Sequence, residues 1–130
     1  MAEVNVFESR EGFLSFLDKE GIKTGVWFQE LSHEVKFGKQ PLEFDSLAVE
    51  SIDPHAVVFV LNHTEALQAL LKHKDEYKDR VIATIMDPIF DKDGPNVFGG
   101  EWFNDKFYIK AYAFRTLIET DAVFIVRKSD

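Results

Sequence analysis

The segment His55–Asp87, HAVVFVLNHTEALQALLKHKDEYKDRVIATIMD, decides the fold class of this chain. It begins with the apolar run His55–Asn62, which has the composition of a strand buried on both faces. Asn62 and Glu65 then stand at the spacing of a helical capping box, and strong helix formers follow them. Because Arg80–Asp87 is a second apolar run, residues 55–87 predict a βαβ unit with two parallel strands.

Several segments upstream of this unit predict further elements. Residues 9–20 predict a helix because their apolar side chains recur at helical spacing, and Gly21 suits the left-handed turn that ends a helix. Residues 24–31 and 34–38 have strand-like composition and predict a hairpin. Residues 41–54 fit either a short helix or a strand, so both alternatives stay open.

Downstream of the unit, two strand-like segments follow a glycine-rich stretch. Lys106–Arg115 and Ala122–Lys128 predict a C-terminal β-hairpin. All elements together predict an α/β or α+β fold, with a mixed sheet of about five to six strands and two main helices. At 130 residues the chain is expected to form a single compact domain over residues 1–130.

The charge distribution narrows the class of partner. The formal net charge is −8, and no lysine or arginine lies between Lys39 and Lys72, a gap that contains Glu43, Asp45, Glu50, Asp53 and Glu65. An acidic face attracts basic partners and repels phosphate backbones, so we expect a protein partner with a basic surface and no direct nucleic-acid binding. The alternative interpretation is that the surplus charge only keeps the domain soluble.

Several classes of site have no signature in this sequence. The chain has no cysteine, which excludes disulfides, thiolate metal sites and a cysteine nucleophile. The aspartates and glycines of residues 87–102 match neither an EF-hand nor a phosphate-binding loop. We therefore assign no catalytic residue, metal or cofactor, and enzymatic activity is uncertain but not favoured. With no signal peptide or long apolar run, we expect a cytoplasmic protein that does not enter the membrane.

One candidate ligand site follows from the βαβ prediction, because ligands bind at the carboxyl ends of parallel strands. Asn62, His63 and Asp87 occupy those ends, where a histidine beside an aspartate could bind an anionic group or act as an oriented general base. Residues 88–100 could form a lid that carries Asn96 and Phe98. The alternative is a structural cap followed by an ordinary surface loop.

A second candidate surface is aromatic and acidic. It comprises the charge-gap residues Glu43, Asp45, Glu50 and Asp53 together with Trp102, Tyr108 and Tyr112. On the strand from Phe107, alternation places the tyrosines on the face opposite Phe107, where core packing is the alternative to an interface. The leading hypothesis is a binding or inhibitor protein that acts stoichiometrically without catalysis. A small-molecule binder or small enzyme is the alternative, and a homodimer through an unpaired C-terminal strand is a further possibility.

Overall fold

The computed structural model describes residues 7–37, 46–48, 58–120 and 122–128. Within these ranges the helices are α1 Arg10–Lys19, α2 Val26–Leu31, α3 His63–His73 and α4 Phe114–Glu119, with a short 3-10 helix at Ser32–Glu34. The strands are β1 Lys23–Thr24, β2 Ser46–Ala48, β3 Val58–Phe59, β4 Ile82–Thr84, β5 Ile89–Asp91, β6 Gly94–Phe103, β7 Lys106–Ala113 and β8 Val123–Lys128. As predicted, α1 and α3 are the two longest helices.

The strands form one mixed sheet in the order β1-β7-β6-β4-β8-β2. Two short strands lie beside this path, since β3 pairs with β8 and β5 pairs with β6. The pairs β1–β7 and β4–β8 are parallel, whereas β6 and β7 form a long antiparallel hairpin. Asn104 and Asp105 turn that hairpin with positive φ angles of 51° and 62°, which a primed two-residue turn requires. The sheet and helices build a single α+β domain, which confirms the predicted fold class.

The segment that decides the fold keeps its predicted order of strand, helix and strand. Both bonds of the capping box are present: Glu65 N–H donates to Asn62 Oδ1 at 2.8 Å, and Asn62 N–H donates to Glu65 Oε1 at 3.0 Å. The two strands of the unit meet in one parallel bridge, between Leu61 and Met86. Apart from this bridge, the two strands are connected through β8: β3 pairs with β8 antiparallel, and β4 pairs with it parallel. Residues 55–57 lie outside the described ranges.

The sheet has two different faces, and α2 packs on one of them, named the helix-covered face below. Phe28 of α2 packs edge-to-face against Phe98 of β6, with ring centroids 4.8 Å apart. Phe98 pairs with Ala111, so the buried side chains of Phe107 and Ile109 lie on this helix-covered face as well. Tyr108, Lys110 and Tyr112 alternate with them and lie half-buried on the opposite face, named the outer face below.

Gly99 and Gly100 lie in the middle of β6, where a backbone oxygen and aromatic rings leave no room for a Cβ atom. A Cβ atom at Gly100 would lie 2.3 Å from Cζ of Phe107, and one at Gly99 would lie 2.6 Å from the Ile82 carbonyl oxygen. Rings that cover strand glycines restore the packing that glycine lacks. The glycines are therefore buried strand residues and not the hinges of a lid.

Two predicted hairpins and the predicted lid are wrong. The predicted C-terminal hairpin does not form: β7 and β8 lie apart in the sheet, with β6 and β4 between them, and the pairing directions make them parallel. Parallel strands need a crossover, which α4 supplies. The segment 24–31 is mostly helix α2, which buries Phe28 and Leu31 at helical spacing, so no hairpin with residues 34–37 exists. The predicted lid over residues 88–100 consists of β5 and part of β6.

Candidate functional site

His63 is the first residue of α3, and both nitrogens of its ring are bonded inside the protein. Nδ1 accepts a hydrogen bond from the backbone N–H of Lys36 at 3.0 Å. Because an amide N–H can only donate, the ring proton must sit on Nε2, which donates to the backbone carbonyl of Asp87 at 3.0 Å. His63 thus joins three segments that are far apart along the chain.

The surroundings of His63 favour its neutral form. The residue is only 5 % exposed, and this burial is the main reason why the pKa of the imidazole lies below its usual value. The Lys36 charge also lowers the pKa, while the backbone contact and the charge of Asp87 oppose the shift. A general base needs a free nitrogen that can accept a proton, so these contacts suit a structural histidine.

The other predicted ligand residues lie near His63 but are also used structurally. Asn62 caps α3, and the Asp87 backbone N–H donates to the Leu61 carbonyl while its side chain faces solvent. The buried Asn96 side chain donates to the backbone carbonyls of Ile89 and Gly94, which holds the β5–β6 hairpin. Phe98 is fully buried against the helices. In the described part of the chain, the structure thus uses these predicted ligand residues in the cap of α3, in the β5–β6 hairpin and in the core.

The predicted partner-binding aromatics lie on opposite faces of the sheet. Trp102 pairs with Phe107 on the helix-covered side, and its indole N–H donates to the Lys74 carbonyl at 2.7 Å. The ammonium groups of Lys74 and Lys78 lie 5.4 and 5.0 Å from the Trp102 ring centroid. Tyr108 and Tyr112 lie on the outer face, so the three aromatics do not share one surface. The acidic residues Glu43, Asp45, Glu50 and Asp53 lie outside the described residues.

The outer face carries a small charged network on β6 and β7. The Glu101 carboxylate accepts hydrogen bonds from Lys110 and, at 3.3 Å, from the Tyr112 hydroxyl. Burial raises the pKa of the Tyr112 phenol, and the nearby Glu101 charge and hydrogen bond raise it further. The hydroxyl therefore stays protonated and donates to Glu101, which positions the ring over Gly99.

An exposed apolar groove lies near the β5–β6 hairpin. The groove has a volume of about 310 Å³, and its lining is Ile85, Met86, Pro88, Phe90, Pro95, Val97 and Phe114. Phe90 is 68 % exposed, and Ile118, one turn after Phe114 on α4, is 65 % exposed. Exposed apolar surface of this kind is typical of interaction and ligand sites.

Acidic residues flank the groove lining along the chain, and Asp87, Asp91 and Asp93 are together named the acidic lip below. Asp87 lies between the lining residues Met86 and Pro88, while Asp91 and Asp93 directly follow Phe90, with Lys92 as the one cation among them. Asp91 Oδ1 accepts the Asp93 N–H at 2.8 Å, which tightens the hairpin turn. On the α4 side, the exposed charges of Arg115 and Glu119 cancel. The chain segment on either side of Phe90 thus has a net negative charge.

Sequence reasoning missed Phe90, although one signal pointed to it. Asp91 to Gly94 read DKDG, a turn signature, so Ile89–Asp91 could have been recognised as the arm of a hairpin. Alternation then places Ile89 inside and Phe90 outside, as the structure shows. The sequence does not show that Phe114 of α4, which is distant along the chain, lines the other side of the groove.

Other classes of site have no support within the described ranges. No group of three or more histidine, aspartate or glutamate side chains there could hold a metal ion. None of the helices in the described part of the chain could cross a lipid bilayer. No protein-family model, curated protein or solved structure matches the chain.

Proposed function

We propose that this chain is a stoichiometric binding protein that holds a protein partner in the groove between β5 and α4. The single observation that carries the proposal is the exposure of Phe90 in an apolar groove with an acidic lip. Exposed apolar patches mark interaction sites, and aromatic side chains are typical anchors of protein interfaces.

The charges favour a partner that presents basic residues. Asp87, Asp91 and Asp93 outnumber Lys92 on the lip, and the whole chain has a net charge of −8. Opposite charges at the rim of an interface mainly raise the association rate and orient the partner, while the apolar contact supplies most of the affinity. We therefore expect lysine or arginine beside large apolar side chains in the partner.

A photo-crosslinking experiment tests the proposal. A photoreactive phenylalanine analogue at position 90 should give a crosslinked protein of defined mass in native lysate, with one copy per chain. Position 103 provides a matched control, because Phe103 is similarly exposed, at 61 %, but lies at the tip of the β6–β7 hairpin. Equal crosslinking at both positions, or none at position 90, would contradict the proposal.

The groove also suits a second candidate, a small apolar ligand. Its volume of about 310 Å³ is at the lower end of the roughly 300–1,000 Å³ range of small-molecule pockets, and its lining is almost entirely apolar. For this alternative function, the proposed ligand site is therefore the groove and not the edge that carries His63 and Asp87. Native mass spectrometry of the purified protein distinguishes the two candidates, because a retained lipid or aromatic compound would support the ligand.

A further inference from the structure

The edge of β5 opposite β6 is a second feature of the groove, and what we infer about it rests on the proposed function. Among the described residues, β5 pairs with β6 on one side, and no strand pairs with its other side. The strand lies at the groove, and Phe90 is its central residue. An unpaired strand edge beside an apolar pocket is the arrangement in which domains bind a peptide by strand addition.

The register shows which backbone groups face this edge. Phe90 lies opposite Pro95 in the antiparallel ladder, between the pairs Ile89–Asn96 and Asp91–Gly94. Proline has no N–H, so Phe90 and Pro95 cannot exchange the two hydrogen bonds of a bonded pair. In a non-bonded antiparallel pair, the N–H and C=O of each residue point away from the partner strand. The N–H and C=O of Phe90 therefore point toward the free edge of β5.

We propose that a segment of the partner adds to β5 as a short extra strand, paired with the N–H and C=O of Phe90. Side chains on one face of that strand alternate with those on the other, so an apolar residue enters the groove next to Phe90. Lysine or arginine residues beside it meet the acidic lip of Asp87, Asp91 and Asp93. The backbone bonds give binding that depends little on sequence, and the groove and lip select the apolar and basic side chains.

The chain offers a matched pair of variants for the test. Phe90→Pro removes the outward N–H, and proline is tolerated at an unpaired edge because no ladder bond to β6 is lost. Phe90→Ala removes the same ring but keeps the N–H. A difference between these two variants therefore reports the backbone bond and not the lost side chain.

The probe is a synthetic heptapeptide that alternates lysine with valine and phenylalanine, and a second version is N-methylated at the phenylalanine and its neighbours. We expect NMR shifts confined to β5 and the groove, and binding about tenfold weaker for Phe90→Pro than for Phe90→Ala. N-methylation should weaken binding to the unaltered protein by a similar factor. Because that second measurement leaves the protein unchanged, it remains valid if Phe90→Pro does not fold.

The outcomes separate this inference from the proposed function. If the peptide binds in the groove but both backbone changes leave its affinity unaltered, strand addition is wrong and the groove remains a binding site. If the heptapeptide causes no shift at β5 while position 90 still crosslinks to a partner, strand addition by a basic segment is also wrong. If neither peptide nor partner contacts position 90, both proposals fail.

Discussion

His63 and Asp87 meet through the aspartate backbone and not through its carboxylate: the imidazole Nε2 donates to the Asp87 carbonyl at 3.0 Å. The other ring nitrogen accepts the Lys36 N–H at the same distance. Two residues that resemble a catalytic pair in the sequence therefore form a connection between segments. This relationship makes His63 a determinant of stability, with consequences that can be measured.

Removing the imidazole should destabilise the fold strongly. His63→Ala leaves the Lys36 N–H and the Asp87 carbonyl without their partner and opens a cavity, so we expect a loss of about 2–4 kcal/mol in the free energy of unfolding. Urea denaturation measures this loss. His33→Ala is the matched control, because His33 is exposed and should cost less than about 0.5 kcal/mol. Similar small losses for both variants would show that His63 does not join these segments.

Stability should also fall in mild acid because of His63. Its pKa in the folded protein is lowered from the ordinary value of 6.5, mainly by burial, so the unfolded chain binds the proton more tightly. The contribution is fully present above pH 6.5 and is lost as the pH falls below that value toward the lowered folded pKa. Denaturation at several pH values should show this decline, and His63→Ala should lack that part of it. A pKa at or above 6.5 in an NMR titration of the folded protein would contradict the expectation.

Gly100 should not tolerate a side chain. The Cβ of Gly100→Ala would lie 2.3 Å from the Phe107 ring, so we expect a loss of about 1–3 kcal/mol in the free energy of unfolding. Gly25→Ala is the control, since its Cβ would meet the flexible Lys110 side chain at 3.3 Å and should cost less. Adding Phe107→Leu to Gly100→Ala should recover part of the loss, because the two sites are in contact. If the losses of the two single variants simply add in the double variant, the Phe107 ring is not the reason why position 100 requires glycine.

Neutralising acidic residues should weaken the salt dependence of partner binding. The set Asp87→Asn, Asp91→Asn and Asp93→Asn removes the charge of the lip and keeps an oxygen at position 91 for the turn bond. We expect a lower association rate and a flatter response to salt, with a smaller change in the dissociation rate. The charge-gap set Glu43→Gln, Asp45→Asn, Glu50→Gln and Asp53→Asn tests the sequence-based surface separately. An unchanged salt profile in both sets would remove the electrostatic part of the proposal.

The sequence predicted what depends on neighbours along the chain. The capping box of Asn62 and Glu65, the two main helices and the alternation along β7 are all local patterns, and the structure contains each of them. Pairing between strands is not local. Nothing in the composition of β7 and β8 indicates that β6 and β4 lie between them, and the predicted hairpin was wrong for that reason.

The candidate site depended even more on distant contacts. The structure brings His63 and Asp87 together, but the sequence could not show that the contact uses the Asp87 backbone, or that the Lys36 N–H bonds to the second ring nitrogen. Phe90 belongs to a hairpin arm, and its exposure becomes meaningful only when Phe114 of α4 completes the groove. Strand alternation can place Phe90 outside, but the groove itself exists only in the folded chain.

The most direct test of the groove is the affinity of the partner that crosslinks at position 90 for two matched variants. Phe90→Ser and Phe103→Ser each replace an exposed phenylalanine of the sheet, at opposite ends of β6. We expect Phe90→Ser to raise the dissociation constant at least about tenfold, as an anchor residue should, and Phe103→Ser to change it less than about twofold. Equal effects of the two substitutions, or a larger effect at position 103, would contradict the assignment of the groove as the binding site.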